Sequence, residues 1–181
     1  MKPAGVILAG GRSSRMGADK AFVTLADRPL LAHVAASMQG QVECLLINSN
    51  SDPQCFARFG LPVLPDSLPG RLGPLAGILT GMEWAGRALP DATHLLSAPC
   101  DIPGLPRDIG ARLAQALADT GADIAIARDT SGEQPTIGLW PVSLAGRLAG
   151  DMARGMRGMQ AWLAAFHVTQ VACHELANIN T

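Results

Sequence analysis

Residues 8–20, LAGGRSSRMGADK, place three glycines (Gly10, Gly11, Gly17) among three cations (Arg12, Arg15, Lys20). Glycine lets a turn aim several backbone N–H groups inward, and the cations add full positive charge, so the segment suits a polyphosphate. Spacing excludes two familiar phosphate loops. A Walker loop needs Gly followed at once by Lys and Ser or Thr, whereas Gly17 is followed by Ala18 and Asp19. The fingerprint G-x-G-x-x-G is also absent, because the glycines stand adjacent and then six apart. Composition alone also allows a Gly-rich surface turn with solvated arginines, as the lesser reading.

A second group is Pro99-Cys100-Asp101-Ile102-Pro103. An acid bracketed by prolines just past an apolar run sits on stiff backbone, where a Mg²⁺ carboxylate would be needed. Asp101 is the candidate metal ligand; its competing role is a turn or N-cap aspartate. Cys100 has no His fixed nearby in sequence, so a thiolate nucleophile is not assigned. The stretch LPDSLPGRLGPLAGI, residues 64–78, adds Asp66 and the glycines 70, 73 and 77, which let backbone approach a flat base or a ribose. Asn48, at the end of another apolar run, is either a nucleoside contact or a plain turn residue. His33, His94, His167 and His174 have no metal-ligand spacing and read as structural.

Positioning such groups requires a sheet. The runs AGVILA (4–9), VECLLIN (42–48), HLLSA (94–98), DIAIA (123–127) and TIGLW (136–140) are continuously apolar, the pattern of strands buried on both faces. PVLP (62–65) is a weaker candidate, and HVTQVACHE a further strand at an edge. Helical spacing runs from Pro29, from Pro74 and from Arg107, and a short apolar helix follows the glycines at 155 and 158; Pro29 and Pro74 suit a first helical turn. Strands alternating with helices predict an α/β fold: a single doubly wound, mostly parallel sheet flanked by helices, with ligands beyond the carboxyl ends of its strands. No repeat or linker divides the chain, so residues 1–181 are expected to form one domain.

With 14 Lys plus Arg against 15 Asp plus Glu, there is no broad field for nucleic acid or an anionic membrane. The four cysteines lack a C-x-x-C pair and no export leader precedes them, which predicts a reduced, cytoplasmic setting. No uninterrupted apolar window reaches the roughly 18 residues of a spanning helix.

The ordered pattern L-A-G-G-x-S-x-R-M-G-x-D-K after the first strand resembles the nucleotidyltransferase signature of the glycosyltransferase-A-like superfamily, with its Rossmann-like fold. Together with Asp66, GPLAG, PCDIP, QPTIGL and the terminal NINT, the chain resembles the molybdenum cofactor guanylyltransferases over nearly its full length. The related cytidylyltransferases have LAAG at the first loop and lack GPLAG, which favours guanine. The resemblance implies transfer of GMP from GTP to the phosphate of molybdenum-molybdopterin, with Mg²⁺ as cofactor and transient delivery or insertion proteins as partners. It implies nucleotide contacts by Leu8, Ala9, Gly10, Gly11, Lys20, Asn48, Asp66 and Asp101. Arg15, Lys20 and Asp101 take the catalytic roles, and Asp101 and Asn180 the metal. Asn178, Asn180 and Arg157 would lie near the acceptor, although Arg157 stands alone where relatives often have two adjacent cations. A CTP- or sugar-phosphate-dependent nucleotidyltransferase and a non-catalytic GTP-binding regulator are the rival expectations.

Overall fold

Val6 and Ile7 are adjacent in sequence and both fully buried, which requires apolar cover on both sides of the strand that carries them. The computed structural model of the chain describes residues 2–10, 20–70, 72–173 and 176. In chain order its elements begin with strand β1 (Ala4–Leu8), the short strands β2 (Thr24–Leu25) and β3 (Arg28–Pro29), helix α1 (Leu30–Gln39), β4 (Leu45–Asn48) and β5 (Val63–Leu64). There follow α2 (Pro74–Ala88), β6 (His94–Pro99), α3 (Ile109–Thr120), β7 (Ile124–Asp129), β8 (Gly132–Pro141), α4 (Ala145–Ala153), α5 (Met159–Leu163) and β9 (Val168–Ala172).

Seven strands form one sheet in the order β5-β4-β1-β6-β8-β7-β9. All neighbouring pairs are parallel except those made by β8, which runs antiparallel to both β6 and β7. Side chains alternate across the sheet. Ile7, Ile47, Leu96 and Ala125 meet α1 and α3 on one face, while Val6, Leu46, Leu95 and Ile124 meet α2, α4 and α5 on the other. The doubly wound, mostly parallel architecture expected from the sequence is therefore present. Among the described residues no helix is long and apolar enough to cross a membrane.

Helix α2 lies unusually close to β1. A Cβ built on Gly81 would fall 3.0 Å from Val6 Cγ1 and 2.8 Å from Leu95 Cδ2, so glycine is what permits that approach. Three details depart from the sequence expectation. Pro29 does not open the first helix: it pairs with Thr24 across a hairpin, and α1 begins at Leu30. Helix α4 was not anticipated from its sequence, in which Gly146 and Gly150 interrupt the apolar spacing. Finally, β8 carries a large bulge: the single step from Ile126 to Ala127 on β7 faces the whole span from Gly138 back to Gln134. Pro135 sits in that bulge, where a missing N–H costs no ladder bond. Thr136 O there accepts from Ser97 Oγ at 2.9 Å, and Ser97 Oγ accepts from Trp140 Nε1 at 2.8 Å.

Candidate functional site

Three strand ends meet at the carboxyl edge of β1. Leu8 O accepts from Cys100 N at 3.1 Å, and Ala9 N donates to Asn48 O at 2.8 Å, so the residues after β1, β4 and β6 are tied side by side. This edge is where an open α/β sheet holds ligands.

On the β6 side, Asp101 follows directly from the strand, and Lys20 Nζ lies 3.2 Å from its Oδ2. Lys20 opens a short 3₁₀ turn, Lys20–Phe22, whose Ala21 is buried. Phe22 anchors that turn: its ring centroid is 5.1 Å from Phe56 and 6.3 Å from Phe59, both on the 3₁₀ segment Pro53–Phe59 that follows β4. Aromatic packing of this kind holds a short turn that its own hydrogen bonds would not. Two residues 81 apart in sequence are thus brought together, one cationic and one acidic.

On the β4 side, Asn48 Nδ2 donates to Asp66 Oδ1 at 3.1 Å and to Leu64 O at 3.3 Å. Asn50 Nδ2 donates to Asp66 Oδ2 at 2.8 Å, and Asp66 N donates to Asn50 Oδ1 at 2.9 Å. The loop carrying Asp66 is pinned by its neighbours as well: Ser49 N donates to Leu64 O at 3.0 Å, and Ser67 N to the buried Thr80 Oγ1 of α2 at 2.9 Å. Gly77, inside α2, completes the wall. A Cβ there would lie 2.3 Å from Asn48 Oδ1 and 2.7 Å from Leu8 Cδ2, so this glycine serves the packing of α2 on Leu8 and Asn48. Gly10 sits beside the same cluster, its built Cβ 3.8 Å from both Asn48 Oδ1 and Asn50 Nδ2.

The sequence-predicted residues Leu8, Ala9, Gly10, Lys20, Asn48, Asp66 and Asp101 all lie along this one edge. Arg157 is not joined to them by any contact among the described residues: it lies in the connection from α4 to α5, where its Nη1 donates to Met152 O and Met156 O at 2.6 Å each. Gly11, Arg12, Arg15, Gly17, His174, Asn178 and Asn180 fall outside the described residues. The sequence did not single out Asn50, Phe22 or Phe56. For Asn50 the available signal was a second asparagine two positions beyond Asn48, which also reads as an ordinary turn residue.

Among the described residues no three His, Cys, Asp or Glu side chains cluster as a metal-ligand group. A single carboxylate, Asp101, fits a Mg²⁺-like ion that takes its other ligands from phosphates and water, and does not fit an all-protein cage. Two of the described histidines have side-chain partners: His33 Nε2 is 2.8 Å from Leu25 O, and His94 Nδ1 is 2.9 Å from Thr93 Oγ1. Burial pushes the His94 pKa below its usual value.

A mostly parallel, doubly wound sheet whose carboxyl edge carries a Lys–Asp pair beside an Asn/Asp cluster is an α/β protein with a polar ligand edge. The chain belongs to the MobA-like NTP transferase domain family, whose model matches residues 5–171. It is 47% identical over 141 residues to the molybdenum cofactor guanylyltransferase of Bradyrhizobium sp. (strain ORS 278), an alignment that spans 77% of this chain and 66% of that protein, just under two thirds of its length. With the molybdenum cofactor guanylyltransferase of Rhizobium meliloti (strain 1021) it shares 41% identity over 181 residues, 98% of this chain and 78% of the relative. The crystal structure of the molybdopterin-guanine dinucleotide biosynthesis protein A from Archaeoglobus fulgidus superposes with a TM-score of 0.72 at 21% identity, covering 93% of this chain and 83% of that one, a likeness of fold.

Proposed function

We propose that the chain transfers GMP from GTP to the phosphate of molybdenum-molybdopterin, giving the guanine dinucleotide cofactor and pyrophosphate. The observation that carries this reading is the Lys20–Asp101 contact, set at the carboxyl edge beside Asn48 and Asp66, in a chain that is 41% identical across 98% of its length to a protein of that name. Residues 1–181 act as one nucleotidyltransferase domain, in the cytoplasm.

The acceptor phosphate is already anionic, so the protein needs no Ser, Cys or His nucleophile; positioning and charge stabilisation suffice. Asn48 and Asp66 hold the nucleoside, with the backbone at Leu8, Ala9 and Gly10 beside it, and Gly11 is assigned to the same contact. Lys20, with Arg15 and the amides of the first loop, meets the negative charge that builds up on the departing pyrophosphate. Asp101 would hold a divalent cation, Mg²⁺ in this reading, and Asn180 is assigned as a second ligand. The chemistry such an ion would supply is polarisation of phosphoryl oxygens. Asn178, Asn180 and Arg157 are assigned to acceptor binding.

The test is pyrophosphate release from GTP in the presence of Mg²⁺ and molybdenum-molybdopterin, repeated with ATP, CTP and UTP. Release with GTP alone among the four supports the proposal. Preference for CTP moves the chain to the cytidylyl class, and tight GTP binding with no release makes it a GTP-binding regulator.

A further inference from the structure

We infer that Asn50 is a positioning residue of the nucleoside pocket, acting through the carboxylate of Asp66; this rests on the nucleotide-binding reading of the carboxyl edge. Asn50 follows β4 by two residues and is exposed, so it adds little to the core. An exposed asparagine ordinarily samples several rotamers in water. Here it is held at both ends of its amide: its oxygen accepts from Asp66 N at 2.9 Å, and its nitrogen donates to Asp66 Oδ2 at 2.8 Å. The opposite amide orientation would set oxygen against carboxylate and NH₂ against N–H, so only one orientation satisfies both contacts.

The consequence falls on Asp66. Its Oδ1 is held by Asn48 Nδ2 and its Oδ2 by Asn50 Nδ2, which fixes the rotation of the carboxyl group about its last bond. An ionised carboxylate only accepts, and each oxygen keeps further acceptor capacity once one amide donor is bound. The pocket thus offers two oriented acceptors to a ligand with paired donors. In a nucleotide that chemistry occurs as the N–H and amino edge of guanine or as the ribose hydroxyls. Asn48 keeps a second anchor at Leu64 O, whereas the Asp66 Oδ2 contact depends on Asn50. Without Asn50 only Asn48 holds the carboxylate, and its rotation is no longer fixed.

The role predicts an order of effects that space-filling does not. Asn50→Asp preserves shape but puts a second carboxylate oxygen where the donor stood, 2.8 Å from Asp66 Oδ2, and repulsion turns Asp66 aside. Asn50→Ala merely leaves Oδ2 to water. The experiment is calorimetric titration of the 181-residue chain, wild type and both variants, with whichever of the four nucleoside triphosphates the wild type binds most tightly. Asn50→Ala is expected to weaken binding about tenfold and Asn50→Asp by more, the size expected for a hydrogen bond to a charged group. Melting temperatures should stay within about 2 °C, as for an exposed substitution. In turnover the loss should appear in KM for the nucleotide and leave kcat and the acceptor KM in place.

Equal binding by all three proteins, or Asn50→Asp binding as well as Asn50→Ala, overturns the inference. Analogues locate the donors. The Asn50→Ala penalty should shrink for inosine triphosphate if the 2-amino group is one of them, or for the 2′- or 3′-deoxy nucleotide if a ribose hydroxyl is. A penalty unchanged across every analogue overturns the role through Asp66. A wild type that prefers another triphosphate to GTP refutes the guanylyl reading while the Asn50 comparison still stands; a wild type that binds none refutes both.

Discussion

Lys20 Nζ stands 3.2 Å from Asp101 Oδ2, with the two side chains 37% and 19% exposed, so without nucleotide the site neutralises itself. The same carboxylate that would hold a divalent ion is occupied by an ammonium. Phosphates compete for Lys20 and free Asp101, so nucleotide and metal should bind cooperatively. Lys20→Met is therefore expected to raise the affinity of the nucleotide-free protein for Mn²⁺ about fivefold, the worth of a partly exposed pair near 1 kcal/mol, while lowering affinity for the triphosphate. Electron paramagnetic resonance of free Mn²⁺ reads the first effect directly. Identical Mn²⁺ affinities in the two proteins would show that Lys20 does not guard the carboxylate.

Asp101→Asn keeps size and a hydrogen-bond acceptor for Lys20 but removes the negative charge. Turnover should fall at least about a hundredfold, since electrostatic support of the developing phosphoryl charge is worth several kcal/mol. Circular dichroism and the melting curve should remain close to wild type. Full activity in this variant would move the metal site to another group.

The layers of this fold were legible in the sequence because both-face burial leaves unbroken apolar runs: AGVIL, LLIN and HLLSA each became a central strand. The hairpin Thr24–Pro29 was not legible, because its turn lacks the Asn-Gly or Asp-Gly signature of tight hairpins. The antiparallel course of β8 and its bulge were equally hidden, since an apolar run carries no record of strand direction. In the site, Lys20 and Asp101 stood out by charge and by their flanking glycines and prolines. Asn50 and the Phe22–Phe56 contact did not, because their importance lies in what they touch, and contact across a fold is absent from local pattern.

Two glycines of α2 should respond oppositely to the same substitution. At Gly77 an added methyl would overlap Asn48 Oδ1 at 2.3 Å and Leu8 Cδ2 at 2.7 Å, and Asn48 cannot yield without disturbing its bond to Asp66. Gly77→Ala should cost about 1–3 kcal/mol and weaken nucleotide binding. Gly86 is exposed, and its built Cβ meets only Val142 Cγ1 at 4.0 Å. Gly86→Ala should stabilise by up to about 1 kcal/mol through helix propensity. Urea unfolding of both variants checks the opposition in sign.

Ala26 and Asp27 both have positive φ, 49° and 61°, at the tip of the β2–β3 hairpin. That is the backbone of a type I′ turn, which favours Asn followed by Gly, and an Ala there carries a steric penalty. Ala26→Asn combined with Asp27→Gly should raise stability by about 1 kcal/mol, or roughly 2–4 °C in Tm for a chain of this size. A lowered Tm would mean that the hairpin does not hold this turn in solution.

Asp151 on α4 accepts from Trp162 Nε1 at 2.9 Å through Oδ2 and from Arg154 Nη2 at 2.6 Å through Oδ1, with Arg147 Nε at 3.9 Å. The Trp162 hydrogen bond, aided by Arg154 and Arg147, holds its pKa below the ordinary value of 3.8. A carboxylate whose pKa is lower in the folded than in the unfolded chain binds protons more readily when unfolded. It therefore supports the fold at every pH above 3.8, and that support is lost as pH falls from there through the lowered folded value. Asp151→Asn lacks this titration. The Tm of wild type should exceed that of Asp151→Asn near neutrality, and the gap should narrow progressively below about pH 4. His94, common to both proteins, cancels from the difference. A gap that stays constant from pH 7 to pH 3 would show that the charge of Asp151 contributes nothing, and that α4 and α5 are joined by packing of Trp162 alone.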